Sequence, residues 1–361
     1  MRKGKKWIGW LLCCALALNV NAQQSACRSD SVSFFNRDQS IRFGGTLTVP
    51  TQRKSFPAVV LVSGTGKQNR DGLMAGHAMF RALADSLTRM GFAVLRTDDR
   101  GVGTTTGVYE TATTADFAAD ALDAVAWLRK QPGVISAGLI GHSEGGAAAI
   151  IAAATGKVDF VVTLAGLATR GIDALKLQNQ AIINAAPISD YDKHRHQTIT
   201  TLMFDTAYQY AYTNIMEAKL RSTYNAWKQA DDSAFAKDMP GKHDHMRFFI
   251  DSYIRQATGA WYQFHLRYDP VPYLQRIRVP LLAMNGDRDI MVPYRENLDV
   301  VETTLCAAGN KVFAVKVLPG LNHLMLRCHT CTNEELPQLP GDFDPEAWAA
   351  LKQWLQEQIT R

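Results

Sequence analysis

Several features that would settle the class of this chain at once are missing. Past residue 22 no stretch reaches ~18 uninterrupted apolar residues, so no later segment reads as a membrane span. Internal repeats and low-complexity runs are absent as well, which excludes a solenoid or a long disordered tail, and 361 residues that are 47% hydrophobic can bury a full core. A surplus of one charge is also lacking. The formal charge is +5, but Arg2, Lys3, Lys5 and Lys6 supply four basic groups with no acid among them, leaving the rest of the chain near +1. Nothing in that balance points to nucleic acid. Gly66-Lys67-Gln68 lacks the Gly-Lys-Ser/Thr spacing of a phosphate-binding loop.

The four basic residues belong to a segment of their own. They precede an uncharged apolar run over 7–20, and Val20-Asn21-Ala22 offers small residues for cleavage before Gln23. Residues 1–22 therefore read as a secretory signal peptide, with an exported, periplasmic or secreted, mature protein expected. Gln24-Ser25-Ala26 before Cys27 lacks the apolar residue of a lipoprotein signal. Of six cysteines, Cys13 and Cys14 go with the leader, and Cys27, Cys306, Cys328 and Cys331 remain. An even count in an exported chain suggests disulfides, and Cys328-His329-Thr330-Cys331 reads first as a structural disulfide. A redox pair there would need a strand before it and a helix opening at it.

What is present is a rhythm of strands and helices. Residues 32–36 and 41–49 read as a hairpin; 58–62, 92–97, 134–140 and 160–165 read as buried strands, with helices over 75–90, 114–130 and 145–154 between them. Such alternation predicts a mostly parallel sheet with helices on both faces. From 169 to 268 the rhythm stops, and helix-length segments over 172–184, 190–212, 215–230 and 246–256 suggest an inserted helical cap. The alternation then resumes with a strand over 281–285, a helix over 294–308, a strand over 312–318 and a helix over 345–359. The expected division is thus a core of 23–168 and 269–361 with a cap of 169–268.

Within that frame one hexapeptide carries the chemistry. Gly141-His142-Ser143-Glu144-Gly145-Gly146 places a serine between glycines at a strand-to-helix junction, the signature of a nucleophile elbow. A serine hydroxyl needs a base and a carboxylate to orient that base. In sheet enzymes of this type the acid follows in sequence and the histidine comes last, each on a loop beyond a strand. Asn285-Gly286-Asp287-Arg288-Asp289 and Pro319-Gly320-Leu321-Asn322-His323 occupy those places. Asp289 is preferred as the acid because its turn leaves the side chain room to point to the sheet top; Asp287 is the alternative, otherwise a turn residue bonding its own backbone. The oxyanion donors are expected to be the Glu144 N–H at the helix start and Thr65, or Gly66, in Ser63-Gly64-Thr65-Gly66.

Other features read as structural. His142 is expected to pack beside the site without acting as base. Asp98-Asp99-Arg100 reads as a loop with an internal carboxylate–arginine pair. His194-Arg195-His196 and His243-Asp244-His245 read as solvated polar faces, because residues two apart on a helix diverge and make poor joint metal ligands. No metal site is expected.

Taken with Gly44-Gly45-Thr46-Leu47, Arg70-Asp71, Leu95-Arg96-Thr97-Asp98-Asp99-Arg100-Gly101 and Tyr268-Asp269-Pro270, these motifs resemble the α/β-hydrolase superfamily over nearly all of the mature chain. More narrowly they resemble bacterial carboxylesterases of the serine aminopeptidase-like group. That resemblance implies ester hydrolysis through an acyl-enzyme, with Ser143 as nucleophile, His323 as base then acid, Asp289 as orienter and no cofactor. The chain departs from such relatives at Gly66-Lys67-Gln68-Asn69, where Gly-Pro-Gln-Asp is usual, and in the tail with Cys328 and Cys331. The expected partner is a small ester, with Trp261 and Tyr262 of the cap bordering a compact acyl pocket that favours short chains. A peptidase or acyltransferase on the same triad, or a non-catalytic binding protein of this fold, are the alternatives.

Overall fold

The computed structural model describes residues 27–360, so the leader lies outside the described residues. The chain runs β1 (Cys27–Phe35), β2 (Arg42–Pro50), β3 (Phe56–Val62), β4 (Leu73–Met74), β5 (His77–Ala78), α1 (Met79–Met90), β6 (Ala93–Thr97), α2 (Thr114–Leu128), β7 (Val134–His142), α3 (Glu144–Ala153) and β8 (Val161–Leu164). Six helices follow: α4 (Gly171–Ala185), α5 (Asp190–Tyr210), α6 (Met216–Asp238), α7 (Ile250–Ala257), α8 (Ala260–Arg267) and α9 (Val271–Leu274). The last elements are β9 (Leu281–Gly286), α10 (Tyr294–Ala307), β10 (Phe313–Leu318) and α11 (Pro345–Gln358).

Eight strands form one sheet in the order β1-β2-β6-β3-β7-β8-β9-β10. The β1–β2 and β2–β6 pairs are antiparallel and the remaining pairs are parallel. Alternate residues of each central strand feed opposite faces. Val60, Leu139 and Val161 pack with Ala121 and Leu128 of α2, Ile150 of α3 and Leu305 of α10. Val59, Ile140 and Val162 pack on the other side with Leu83 and Leu87 of α1 and Leu351 and Leu355 of α11. This two-sided burial explains why the strands read as continuous apolar runs.

Local chemistry sets the helix ends. Thr113 caps α2 through a reciprocal box with Asp116, and Gly91, at φ 107°, closes α1 with its N–H on the Leu87 and Thr88 carbonyls. The helix expected from residue 75 begins only at Met79, because Ala75 (φ 52°) and Gly76 (φ 93°) turn the chain between β4 and β5. The insertion holds the expected helices and one that was missed. The segment around 246 has no regular structure until α7 starts at Ile250, and α8 is too short for its period to stand out. Ile199, Met203, Leu220, Ile254 and Leu266 form a separate small core there. Among the described residues no helix is long and apolar enough to cross a membrane.

Candidate active site

Ser143 lies between β7 and α3 with φ 56° and ψ −122°, a conformation that an L-residue adopts only when its surroundings impose it. Those surroundings are visible. Its N–H donates to the Leu164 carbonyl of β8 at 3.0 Å, and its carbonyl accepts from Gly146 at 2.9 Å and Leu167 at 3.2 Å. A Cβ on Gly141 would stand 2.1 Å from the Gly145 carbonyl oxygen, so the tight turn requires glycine there. A Cβ on Gly64 would come within 3.0 Å of the Ser143 Cβ, which shows how closely the loop after β3 approaches the elbow.

The acid and base loops meet at the same end of the sheet. His323 Nδ1 donates to Asp289 Oδ2 at 2.9 Å, and the Asp289 side chain is fully buried. Asp289 Oδ1 accepts from the Met291 and Val292 N–H groups at 2.8 and 2.9 Å, so the backbone fixes the carboxylate. With its Nδ1 proton held by Asp289, His323 presents Nε2 with a free lone pair. Ser143 and His323 line one cavity, without a hydrogen bond between the two side chains, a spacing often seen before substrate tightens such a site.

Two neighbouring residues tie these loops together. Asp287 bonds not its own turn but the Gly320 N–H at 2.7 Å, tying the acid loop to the histidine loop. His142 is buried, as expected, and its Nε2 donates to the His323 carbonyl at 2.9 Å. Burial, reinforced by the nearby His323, lowers its pKa to about 3 and keeps the ring neutral.

The expected oxyanion donors separate. Glu144 opens α3, and its N–H has no acceptor among the described residues, as befits a first-turn amide. The Thr65 N–H is likewise uncommitted among the described residues. Gly66 is a correction: its N–H donates to the Tyr109 hydroxyl at 2.7 Å, so it anchors the loop and is not available to an oxyanion. Asp99, unremarked as a site residue, anchors the same loop by accepting from the Ser63 hydroxyl and, at 2.7 Å, from the Gln68 N–H. Burial raises its pKa to about 6. The supposed internal pair of that segment does not exist: Asp98 takes Arg70 at 2.5 Å and Arg100 takes Asp120 at 2.7 Å.

The cavity measures about 470 Å3, within the range of small-molecule sites. Both Trp261 and Tyr262 line it, but each is committed elsewhere too. The Trp261 indole N–H donates to Glu144 and its ring stacks on His265 at 4.9 Å, while the Tyr262 hydroxyl lies 3.2 Å from that of Tyr253. Part of the wall is the tail. Cys328 and Cys331 form a local disulfide, and Cys331, Asn333 and Leu336 face the cavity.

His194, His243 and His245 are exposed, as expected of solvated faces, but Arg195 at the centre of the first triplet is not. Arg195 is buried, with Asp231 and Asp244 each at 2.7 Å from Nη2 and Phe235 4.8 Å beneath the guanidinium. His243 and His245 lie outside regular secondary structure, where their rings meet edge to face at 4.6 Å. Asp231, Asp232 and Asp244 cluster closely enough to hold a cation, but Arg195 and Lys228 already supply the positive charge.

An elbow serine, a buried Asp–His pair and an eight-stranded, mostly parallel sheet define a serine hydrolase of the α/β-hydrolase superfamily. Residues 40–312 match the family described as X-Pro dipeptidyl-peptidase (S15 family), and the chain belongs to it. Esterase EstD of Thermotoga maritima is 25% identical over 298 residues, an alignment that covers 82% of this chain and 61% of that protein. The chain thus spans less than two thirds of that relative's length. Among solved structures, Est1E of Butyrivibrio proteoclasticus with ferulic acid bound aligns with a TM-score of 0.50 at 18% identity, covering 89% of this chain and 97% of that one. A Pyrococcus furiosus esterase aligns with a TM-score of 0.52 at 17% identity over 92% of each chain. At such identity these two similarities speak for the fold alone.

Proposed function

We propose that the protein is an exported serine carboxylesterase acting on small, short-chain esters. The observation that carries this reading is that His323, held by the buried Asp289, lines the same apolar-walled cavity as Ser143. In the acylation step Ser143 Oγ attacks the ester carbonyl carbon while His323 Nε2 takes its proton. The resulting oxyanion is held by the Glu144 and Thr65 N–H groups. His323 then returns the proton to the departing alcohol, and water, activated by the same nitrogen, releases the acid. The name of the Thermotoga maritima relative, esterase EstD, supports an ester substrate. The Cys328–Cys331 disulfide suits an oxidising compartment, in keeping with the leader read over 1–22.

Amide hydrolysis is the second reading, favoured by the family that residues 40–312 match. A panel of p-nitrophenyl esters from acetyl to palmitoyl, run beside aminoacyl-prolyl amides, separates the two. Acetyl and butyryl esters are expected to turn over fastest, and Ser143→Ala is expected to lower that rate by about 10⁴-fold or more with the melting curve unchanged. A wild-type rate in Ser143→Ala would sink the mechanism, and faster cleavage of the prolyl amides would sink the ester preference.

A further inference from the structure

Glu144 carries more than the amide proton assigned to it above. It is the one charged residue of α3, whose remaining positions are Gly, Ala and Ile, and it is 3% exposed. Its carboxylate accepts three hydrogen bonds from three separate parts of the chain. Thr65 Oγ1, in the loop after β3, lies 2.8 Å from Oε2; Thr114 Oγ1, at the start of α2, lies 2.7 Å from Oε1; and Trp261 Nε1, in α8, lies 2.6 Å from Oε1. None of these donors is a cation, and burial pushes the carboxyl above its ordinary range.

A carboxylate is a poor neighbour for a developing oxyanion, since its charge has the same sign. Its presence therefore calls for a role that outweighs the repulsion. A carboxylate supplies two acceptor oxygens and no donor, so it can satisfy three converging donors together. The partners explain why these three matter. Thr65 holds an N–H group uncommitted among the described residues and lines the cavity with Ser143, and Trp261 belongs to the helical insertion and walls the same cavity. From this convergence we infer that Glu144 is a positioning residue that latches the helical insertion to the oxyanion loop, so that the seating of Trp261 and the aim of the Thr65 N–H are set by one side chain. The indole of Trp261 thereby acts on catalysis through Glu144. The inference rests on Ser143 being the nucleophile, as in the proposed function, and not on the choice of ester.

The test follows Ser143 directly, by its rate of labelling with a fluorophosphonate probe, beside kcat and KM for p-nitrophenyl acetate and thermal melting. Glu144→Ala is expected to slow labelling and kcat by about 10- to 100-fold with KM little changed, short of the 10²- to 10³-fold cost of deleting an oxyanion donor. Glu144→Gln keeps an oxygen for Thr114 and Trp261 and an N–H for the Thr65 hydroxyl, so it should restore the rate to within a few-fold of wild type. Trp261→Phe should slow the wild-type protein but add almost nothing to Glu144→Ala, because both remove the same link.

A folded Glu144→Ala that labels at the wild-type rate overturns the inference, as does a Trp261→Phe effect that multiplies in full on the alanine background. If Glu144→Ala does not fold, Glu144→Gln and Trp261→Phe decide, and a Trp261→Phe protein with unchanged kcat and raised KM refutes the latch. Wild-type protein that labels at Ser143 yet leaves every ester intact would refute the esterase reading and leave the latch to be judged on labelling rates.

Discussion

The core and the helical insertion both bury charged side chains, and they hold them by different means. In the core, Asp289 is fixed by the N–H groups of Met291 and Val292, and His323 is held through its carbonyl by His142. These contacts follow from loops that leave neighbouring strands at the same end. In the insertion, Arg195 of α5 meets Asp231 of α6 and Asp244 of the following loop, with Phe235 beneath it, and side chains supply every one of these contacts. The core's polar geometry is thus imposed by sheet register, while that of the insertion depends on residues far apart in sequence finding one another. The active site uses the first for bond breaking and the second for a wall of its cavity.

The largest expected effect lies on the core side. Asp289→Asn preserves the shape of the loop but turns an acceptor toward a donor, so His323 is presented in the wrong tautomer, and kcat should fall by about 10⁴-fold. A smaller loss, of tenfold or less, would mean that backbone and His142 alone orient the base. Next in size is Arg195→Met, which leaves the carboxylates of Asp231 and Asp244 facing each other without their cation. The insertion should lose on the order of 3 kcal/mol of stability. Hydrogen exchange resolved by segment checks this: protection should fall in α5 and α6 and hold in β7 and β8. Equal losses in both regions would mean that core and insertion are not held by different means.

The same contrast explains what could be read from the sequence. Ser143, Asp289 and His323 were legible because each sits just beyond an apolar strand, and their order is the order of those strands. Asp289 was also separable from Asp287 by its turn, although the bond from Gly320 to Asp287 links two loops and left no local trace. Gly66 was misjudged because the partner of its N–H, Tyr109, lies 43 residues away. Arg195 looked like part of a solvated face because a helix shows its neighbours in sequence and not its partners across a bundle. Glu144 did leave a signal, a lone carboxylate in a helix of Gly, Ala and Ile, and its side chain could have been singled out on that ground. The Cys328–Cys331 pair was readable from spacing, but its place on the cavity wall depends on how the tail packs.

Acid should separate the two regions by the smallest of these effects. Burial lowers the pKa of His265, in the insertion, to about 4, so between pH 4 and 6.5 the unfolded state binds a proton there that the folded state does not. Stability therefore rises with pH across that window and is lost on acidification. Lower still, the hydrogen bond from Arg195 holds Asp244 at about 2, which adds a loss of the same sign below its ordinary value near 3.8. In the core the signs oppose. His142, at about 3, also loses stability as pH falls from 6.5, but Asp99, raised to about 6, is protonated in the folded state first and gains stability as pH falls from 6 to 3.8. One proton offsets the other. Acidifying from pH 6.5 to 4.5 should then reduce exchange protection in α8 more than in β7 and α3, after correction for intrinsic exchange rates. Asp99→Asn should remove part of the offset and let the core weaken further, while Glu144 and Asp120, also raised by burial, keep the remainder. If the core loses as much protection as α8 in the unsubstituted protein, the offset between His142 and Asp99 is wrong.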